Sequence, residues 1–420
     1  MFPEDPPTIL DPLYVDTRDV RPFQDLVQAA LPELSVSVVD DSPELGLTRF
    51  ATSSASEAAA AVRARTAVPD LDGLDLVLWW LRAESVRRYR GWEPTVDRNY
   101  DDGDIYTGPH VKIAIGEPTI RSLAPSAFGL AGLARRVLVT PAPGESPVAL
   151  PTTETGPPLV LEPQGEAAGA VLGWTAPTGP RVGIADAQVY AHDELAGRFL
   201  GEPVTGHGPF PAAGPGHATF VAGTVLRRAP AALLICRPVL VHGGPNTSWD
   251  VARRLMAFLD DDLAVLNMSF GALTTGGAPL PLRRAVELLG GRMVLVAAGG
   301  NHAEIDDPLR PIYPAAFSGV LAVGAAGADG KPADFTPTGP WMDLLAPGVD
   351  VVGPFLPGRV TIGAQTPDFG SGYARWSGSS FAAAAVSGEI ARRVHEGTIT
   401  PFQARDQLLA EQHDADTPTT

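Results

Sequence analysis

Beyond residue 170, short continuous apolar runs alternate with segments of helical length. The runs lie at 181–185, 231–241, 263–268, 292–298 and 320–325. A strand with one wet face alternates apolar and polar residues, whereas a strand covered on both faces reads as an unbroken apolar stretch. The stretches 247–259, 280–289 and 381–395 carry helical spacing. This repetition predicts an α/β fold: a doubly wound parallel sheet with helices on both faces and ligands at the carboxyl ends of its strands.

Upstream the character differs. Prolines at 141, 143, 147, 151, 157, 158 and 163 rule out a helix or a central strand there. The expected division is therefore an N-terminal domain over 1–140, a proline-rich linker over 141–171, the α/β domain over 172–412 and a polar tail over 413–420. In the first segment the spacing predicts helices at 56–66 and 75–90, with Asp75 as N-cap and Gly91 as the stop. An α+β fold is expected for it, with no motif to assign one. The arginines at 82, 87, 88 and 90 stand beside Glu84 and read as a solvated face. Asp101, Asp102 and Asp104 lack the alternating ligands and later Glu of a calcium loop, and read as a polar turn.

Composition excludes several functions. With 45% hydrophobic and 19% charged residues the chain is not predominantly disordered. Its net charge of −17 opposes phosphate backbones and anionic lipid surfaces, so neither nucleic acid nor membrane is an expected partner. No stretch reaches the roughly 18 apolar residues of a spanning helix. Glu4 and Asp5 stand where a secretory signal has positive charge, which makes the cytoplasm the expected location. The lone Cys236, within Ala232-Leu233-Leu234-Ile235-Cys236, reads as a small buried hydrophobe.

Four residues fall where this architecture concentrates chemistry. Asp186 ends the first apolar run, His217 opens a helical segment, Asn301 follows the run 294–298 through Gly299 and Gly300, and Ser380 stands at the head of an alanine-rich helix. Alone, each is a weak signal, and Asp186 reads as a turn or cap, Ser380 as a helix cap and Asn301 as a turn residue. Together they fill a set of roles. A serine hydroxyl needs a base to become nucleophilic, and an imidazole titrates in the useful range. A buried carboxylate fixes the tautomer of that imidazole, and an oxyanion needs donors from a helix N-terminus and a side-chain amide.

The words around these residues resemble the subtilases, the subtilisin-like serine peptidases. Ile184-Ala185-Asp186, Gly216–Thr224 and Gly378–Ala382 match the family's aspartate, histidine and serine words, and Ala297–Asn301 looks like its oxyanion word. Leu266–Gly271, Tyr313-Pro314-Ala315, Leu321–Ala325 and Leu345–Gly348 agree as well, so the likeness runs from about 172 to 400. It implies a subtilisin-like fold and a serine endopeptidase with Asp186, His217, Ser380 and Asn301 in its catalytic centre. The substrate would be a protein or peptide bound as an extended strand, lined by Ser269, Phe270, Gly271, Ala298, Gly299 and Gly300. Ile312 near the pocket floor favours an apolar or small residue before the scissile bond, and Glu304, Asp306 and Asp307 pull mildly the other way.

The sequence also departs from the family. Gln188 replaces a glycine, Ala218 and Phe220 replace Gly and His in the histidine word, and Ala384 replaces a proline. The calcium loop after the histidine helix is missing, since Thr224 leads through Pro230 straight into the next run. Neither a metal nor a cofactor is expected. Two readings compete with the peptidase: a catalytically inactive peptide-binding or regulatory module on the same scaffold, and an α/β-hydrolase esterase. The esterase would need the order Ser, acid, His and a glycine where Ala382 stands. By resemblance the N-terminal region is an inhibitory pro-domain; the alternative is a fixed recognition or regulatory domain restraining an intracellular processing protease.

Overall fold

The computed structural model describes residues 12–67, 71, 73–98, 148–149, 177, 179–201, 208, 210, 214–241, 246–274, 277–303, 307–361 and 366–416. The expected turn at 101–104, Glu304, Asp306 and most of the proline-rich stretch lie outside them. The chain divides into two compact units.

The first unit gathers Met1–Val111 with Thr247–Met256 and Thr274–Ala285. Its elements run β1 (Leu13–Asp16), α1 (Val20–Ala30), β2 (Ser35–Ser42), β3 (Leu47–Ser53), α2 (Ala55–Arg65), α3 (Gly73–Arg88) and β4 (Val96–Arg98). The strands form an antiparallel sheet in the order β2-β3-β1-β4. This is the split βαβ plan with one helix added. Leu13, Val15, Phe23, Phe50, Val62 and Leu81 are buried in one cluster, with Phe23 edge-on to Phe50 at 5.9 Å. Trp249 stacks on Tyr14 at 5.5 Å, and Arg284 pairs with Asp16 at 3.1 Å.

Both N-terminal helices expected from spacing are present. Helix α3 starts two residues before Asp75, which sits in the first turn and pairs with Arg98 at 3.3 Å instead of capping. The helix ends at Arg88, and the chain reverses through positive φ at Arg90 and Gly91. Arg87 and Arg88 both close on Glu84, an acid-paired helical face of the kind the spacing suggests.

The second unit comprises Lys112–Asn246, Ala257–Leu273 and Val286–Thr420. In chain order the elements after β4 are β5 (Val148–Ala149), β6 (Arg181–Asp186), β7 (Phe199–Leu200), α4 (His217–Arg228), β8 (Leu233–Pro238), α5 (Ser248–Leu255), β9 (Val265–Met268), β10 (Ala272–Leu273), α6 (Leu280–Gly290), β11 (Val294–Ala298), β12 (Ile312–Tyr313), β13 (Val320–Ala326), β14 (Leu344–Pro347), β15 (Val351–Pro354), β16 (Tyr373–Trp376), α7 (Ser379–Gly397) and α8 (Pro401–Asp416), of which α5 and the first half of α6 belong to the first unit.

Seven strands form a parallel sheet in the order β14-β13-β11-β9-β6-β8-β7. Every residue of β9, β11 and β13 is buried, as unbroken apolar runs require of strands covered on both faces. Strand β6 occupies the point where the winding changes direction, with β8 on one side and β9 on the other. Its carboxyl end is thus the switch point at which such sheets bind ligands. Helix α7 lies against α4 and across β9, β11 and β13. Gly388 permits that crossing, because a Cβ there would fall 2.7 Å from the Val225 carbonyl of α4.

Candidate active site

Asp186 is the last residue of β6 and is completely buried. Its carbonyl accepts from the N–H groups of Val239 and Leu240, and its Oδ1 accepts from the N–H of Ala187 at 2.6 Å. These bonds leave the carboxylate aimed at His217, the first residue of α4. The imidazole Nδ1 donates to Oδ1 at 3.0 Å and to Oδ2 at 2.9 Å, since an ionised carboxylate only accepts. A proton fixed on Nδ1 leaves Nε2 as the basic nitrogen. Nε2 is buried and has no hydrogen-bond partner among the described residues.

Ser380 is the second residue of α7, with Gly378 as N-cap in extended backbone. Its Oγ donates to the Ser269 carbonyl at 3.1 Å, and the Ser269 hydroxyl donates back to the Ser380 carbonyl at 2.7 Å. The Ser380 hydroxyl is therefore held on a backbone carbonyl. Asn301 reaches the same turn from the end of β11. Its Oδ1 accepts from the Ser379 N–H at 2.8 Å, while the N–H of Gly300, at φ 109°, donates to the Ser379 hydroxyl at 3.2 Å. With Oδ1 engaged, the amide presents Nδ2, which lies 3.5 Å from the position a Cβ on Gly378 would take.

The expected substrate-lining residues lie on two strand ends. Ser269, Phe270 and Gly271 follow β9, and Ala298, Gly299 and Gly300 follow or end β11. Ile312 on β12 is buried, and β12 pairs with β10 just beyond Gly271. A Cβ on Gly271 would come within 2.5 Å of the Ile312 side chain, so isoleucine fills the space beside that glycine.

Several participants escaped sequence reasoning. Ser379 holds both the Gly300 and the Asn301 backbone-to-side-chain ties. Ser387 donates to Asn267 Oδ1 at 3.1 Å, and Asn267 Nδ2 donates to the Ser269 hydroxyl at 2.8 Å, a buried chain leading from α7 to the Ser380 carbonyl. Both are polar residues inside otherwise apolar segments, a signal that could have marked them. Ala218 and Phe220, flagged as departures, are fully buried, and Phe220 packs on Phe381 at 4.4 Å.

Cys236 is buried and its thiol pKa is pushed up by burial, which makes it inert. Next to the aspartate loop, burial pushes the His192 pKa down, and burial beside Glu194 pushes the Tyr373 hydroxyl up to about 12. Among the described residues no group of three His, Cys, Asp or Glu side chains could hold a metal, and no helix is long and apolar enough to cross a membrane.

The chain is similar to proteins of known family. The model of the subtilase family matches residues 178–415. The thermostable alkaline protease of Halalkalibacterium halodurans is 31% identical over 229 residues, which are 51% of this chain and 56% of that protein. Subtilisin Savinase of Lederbergia lenta is 30% identical over 228 residues, 51% of this chain and 76% of that one. The chain thus spans little more than half the length of the first of these relatives. Among solved structures, the prenylagaramide maturation protease is 27% identical with a TM-score of 0.46, covering 57% of this chain and 85% of that chain.

Proposed function

Because the chain belongs to the subtilase family, we propose that it is a serine endopeptidase that cleaves peptide bonds through an acyl-enzyme on Ser380 and serves as a regulated processing protease. The observation that carries this reading is the buried pair in which Asp186 holds Nδ1 of His217 and leaves Nε2 basic.

Ser380 Oγ turns from the Ser269 carbonyl to Nε2, gives up its proton and attacks the scissile carbonyl carbon. Negative charge gathers on the carbonyl oxygen, where the Asn301 amide and the N–H of Ser380 at the head of α7 donate. The C–N bond breaks as Nε2 passes its proton to the leaving amine. Water then repeats the sequence on the ester, with His217 again as base and then acid, and Asp186 stabilises the imidazolium each time without taking the proton.

The substrate lies as an extended strand between residues 269–271 and 298–300, with main-chain hydrogen bonds giving affinity. Ile312 beside Gly271 favours an apolar or small side chain before the scissile bond. The N-terminal domain, with a sheet and core of its own, restrains the peptidase. The test is digestion of an unfolded protein substrate with the products identified by mass: wild type cleaves and Ser380→Ala does not. Cleavage by both would refute the assignment.

A second reading, an inactive peptide-binding module, is favoured by one observation: the resting Ser380 hydroxyl bonds Ser269 and not His217. Catalytic hydrogen bonds in unliganded sites are commonly loose and tighten with substrate, so the peptidase reading is preferred.

A further inference from the structure

Among the described residues, polar contacts hold the His217 ring along one edge only, through Nδ1 at Asp186. A ring tethered at one nitrogen can still swing about that tether and carry its other nitrogen away. A displacement of 1 Å in a reacting group costs about 100-fold in rate. Aromatic side chains block this swing. Trp376 stands 5.6 Å from the imidazole centroid at 87°, and Phe381 stands 5.7 Å from it at 41°.

Other rings fix these two in turn. Phe220 packs on Phe381 at 4.4 Å and on Trp376 at 5.8 Å, and Phe355 meets Trp376 at 5.7 Å and 90°. All four side chains are fully enclosed. Glycine makes room for the inner ring, since a Cβ on Gly353 would fall 2.9 Å from Phe220. Trp376 ends β16 and Phe381 directly follows Ser380, so the backbone that carries the nucleophile also carries both rings.

We infer that Trp376 and Phe381, backed by Phe220 and Phe355, are positioning residues that hold the His217 imidazole in register with Ser380. The inference rests on the reading of His217 as the base. Because the resting Ser380 hydroxyl must rotate off the Ser269 carbonyl to reach Nε2, a fixed imidazole gives that rotation one target. The same rings keep water from the faces of the imidazole, so solvent does not compete with the hydroxyl for Nε2.

The test compares full-length wild type with Trp376→Leu, Trp376→Phe and Gly353→Ala, by steady-state kinetics on a peptide substrate and by proton NMR of the Nδ1 hydrogen shared with Asp186. The expected result for Trp376→Leu is a fall in kcat of about 10-fold or more with KM changed by less than about 2-fold, and a broadened, faster-exchanging Nδ1 proton. Trp376→Phe restores most of both. Gly353→Ala, which pushes Phe220 from outside the site, moves both readouts the same way and carries the test if Trp376→Leu does not fold. An unchanged kcat in folded Trp376→Leu overturns the inference, and so does a raised KM at constant kcat, which would make the ring a substrate wall. A wild type that turns over nothing, yet loses a sharp Nδ1 resonance on Trp376→Leu, would refute the peptidase reading and leave the positioning role standing.

Discussion

The Ser379 N–H donates to Asn301 Oδ1 at 2.8 Å, so the residue before Ser380 sets the orientation of the Asn301 amide. This bond separates two functions of Asn301. Its oxygen ties the end of β11 to the head of α7, and its nitrogen is the donor that the proposed mechanism assigns to the oxyanion.

Asn301→Asp keeps the acceptor for Ser379 and removes the donor. Turnover is expected to fall about 100- to 1,000-fold, the loss known for the equivalent donor in this same family, with KM and thermal stability little changed. Asn301→Ala loses both functions, so it should show the same kinetic defect together with a lowered melting temperature. Steady-state kinetics beside calorimetry distinguishes the two, and equal turnover of wild type and Asn301→Asp contradicts the assignment.

Asp186→Asn replaces the acceptor of the His217 Nδ1 proton with a group that can present its own N–H, which favours the wrong tautomer. A fall in kcat of about 10,000-fold is expected, as for the corresponding change in a serine protease of unrelated fold. The measurement is kcat in folded protein at neutral pH, where a loss under about 10-fold would remove Asp186 from its role.

Stability should depend on acid through α7. Glu389 has its carboxyl pKa lowered from 4.5 to about 2, first by hydrogen bonding to Arg392 and also by Arg393, which bridges on to Glu411 of α8. Because the folded pKa lies below the ordinary one, the unfolded chain binds the proton more readily in that window. The contribution is therefore complete above about pH 4.5 and is lost as the pH falls through about 2. Glu389→Gln is expected to lower the melting temperature at pH 7 and to flatten its decline between pH 4.5 and 2, as read by thermal denaturation across that range.

The N-terminal unit has its own core, and Leu81 is completely buried in it. Leu81→Ala should destabilise that unit by about 2–5 kcal/mol, the usual cost of deleting a buried leucine side chain. Urea unfolding followed by hydrogen exchange over residues 12–98 reads the loss, and a change under about 1 kcal/mol would show that this cluster does not hold the unit together.

The α/β half was legible because its strands are covered on both faces and carry unbroken apolar runs, with Asp186 and Asn301 marking two strand ends and His217 and Ser380 two helix heads. The N-terminal sheet was not. Strand β2 is largely exposed, with Val38 and Val39 facing outward, and β1 and β4 are only four and three residues long, too short for a periodic signal. Phe220 stood out as a departure from the family pattern, but its partners Trp376 and Phe381 lie far along the chain, and only folding shows that they surround His217.

The most direct measurement of the central claim is intact-protein mass after exposure of the full-length protein to a fluorophosphonate, beside Ser380→Ala and His217→Ala. The account predicts one adduct on wild type, mapping to Ser380, none on Ser380→Ala and strongly slowed labelling of His217→Ala. Equal labelling of wild type and Ser380→Ala, or of wild type and His217→Ala, would contradict it.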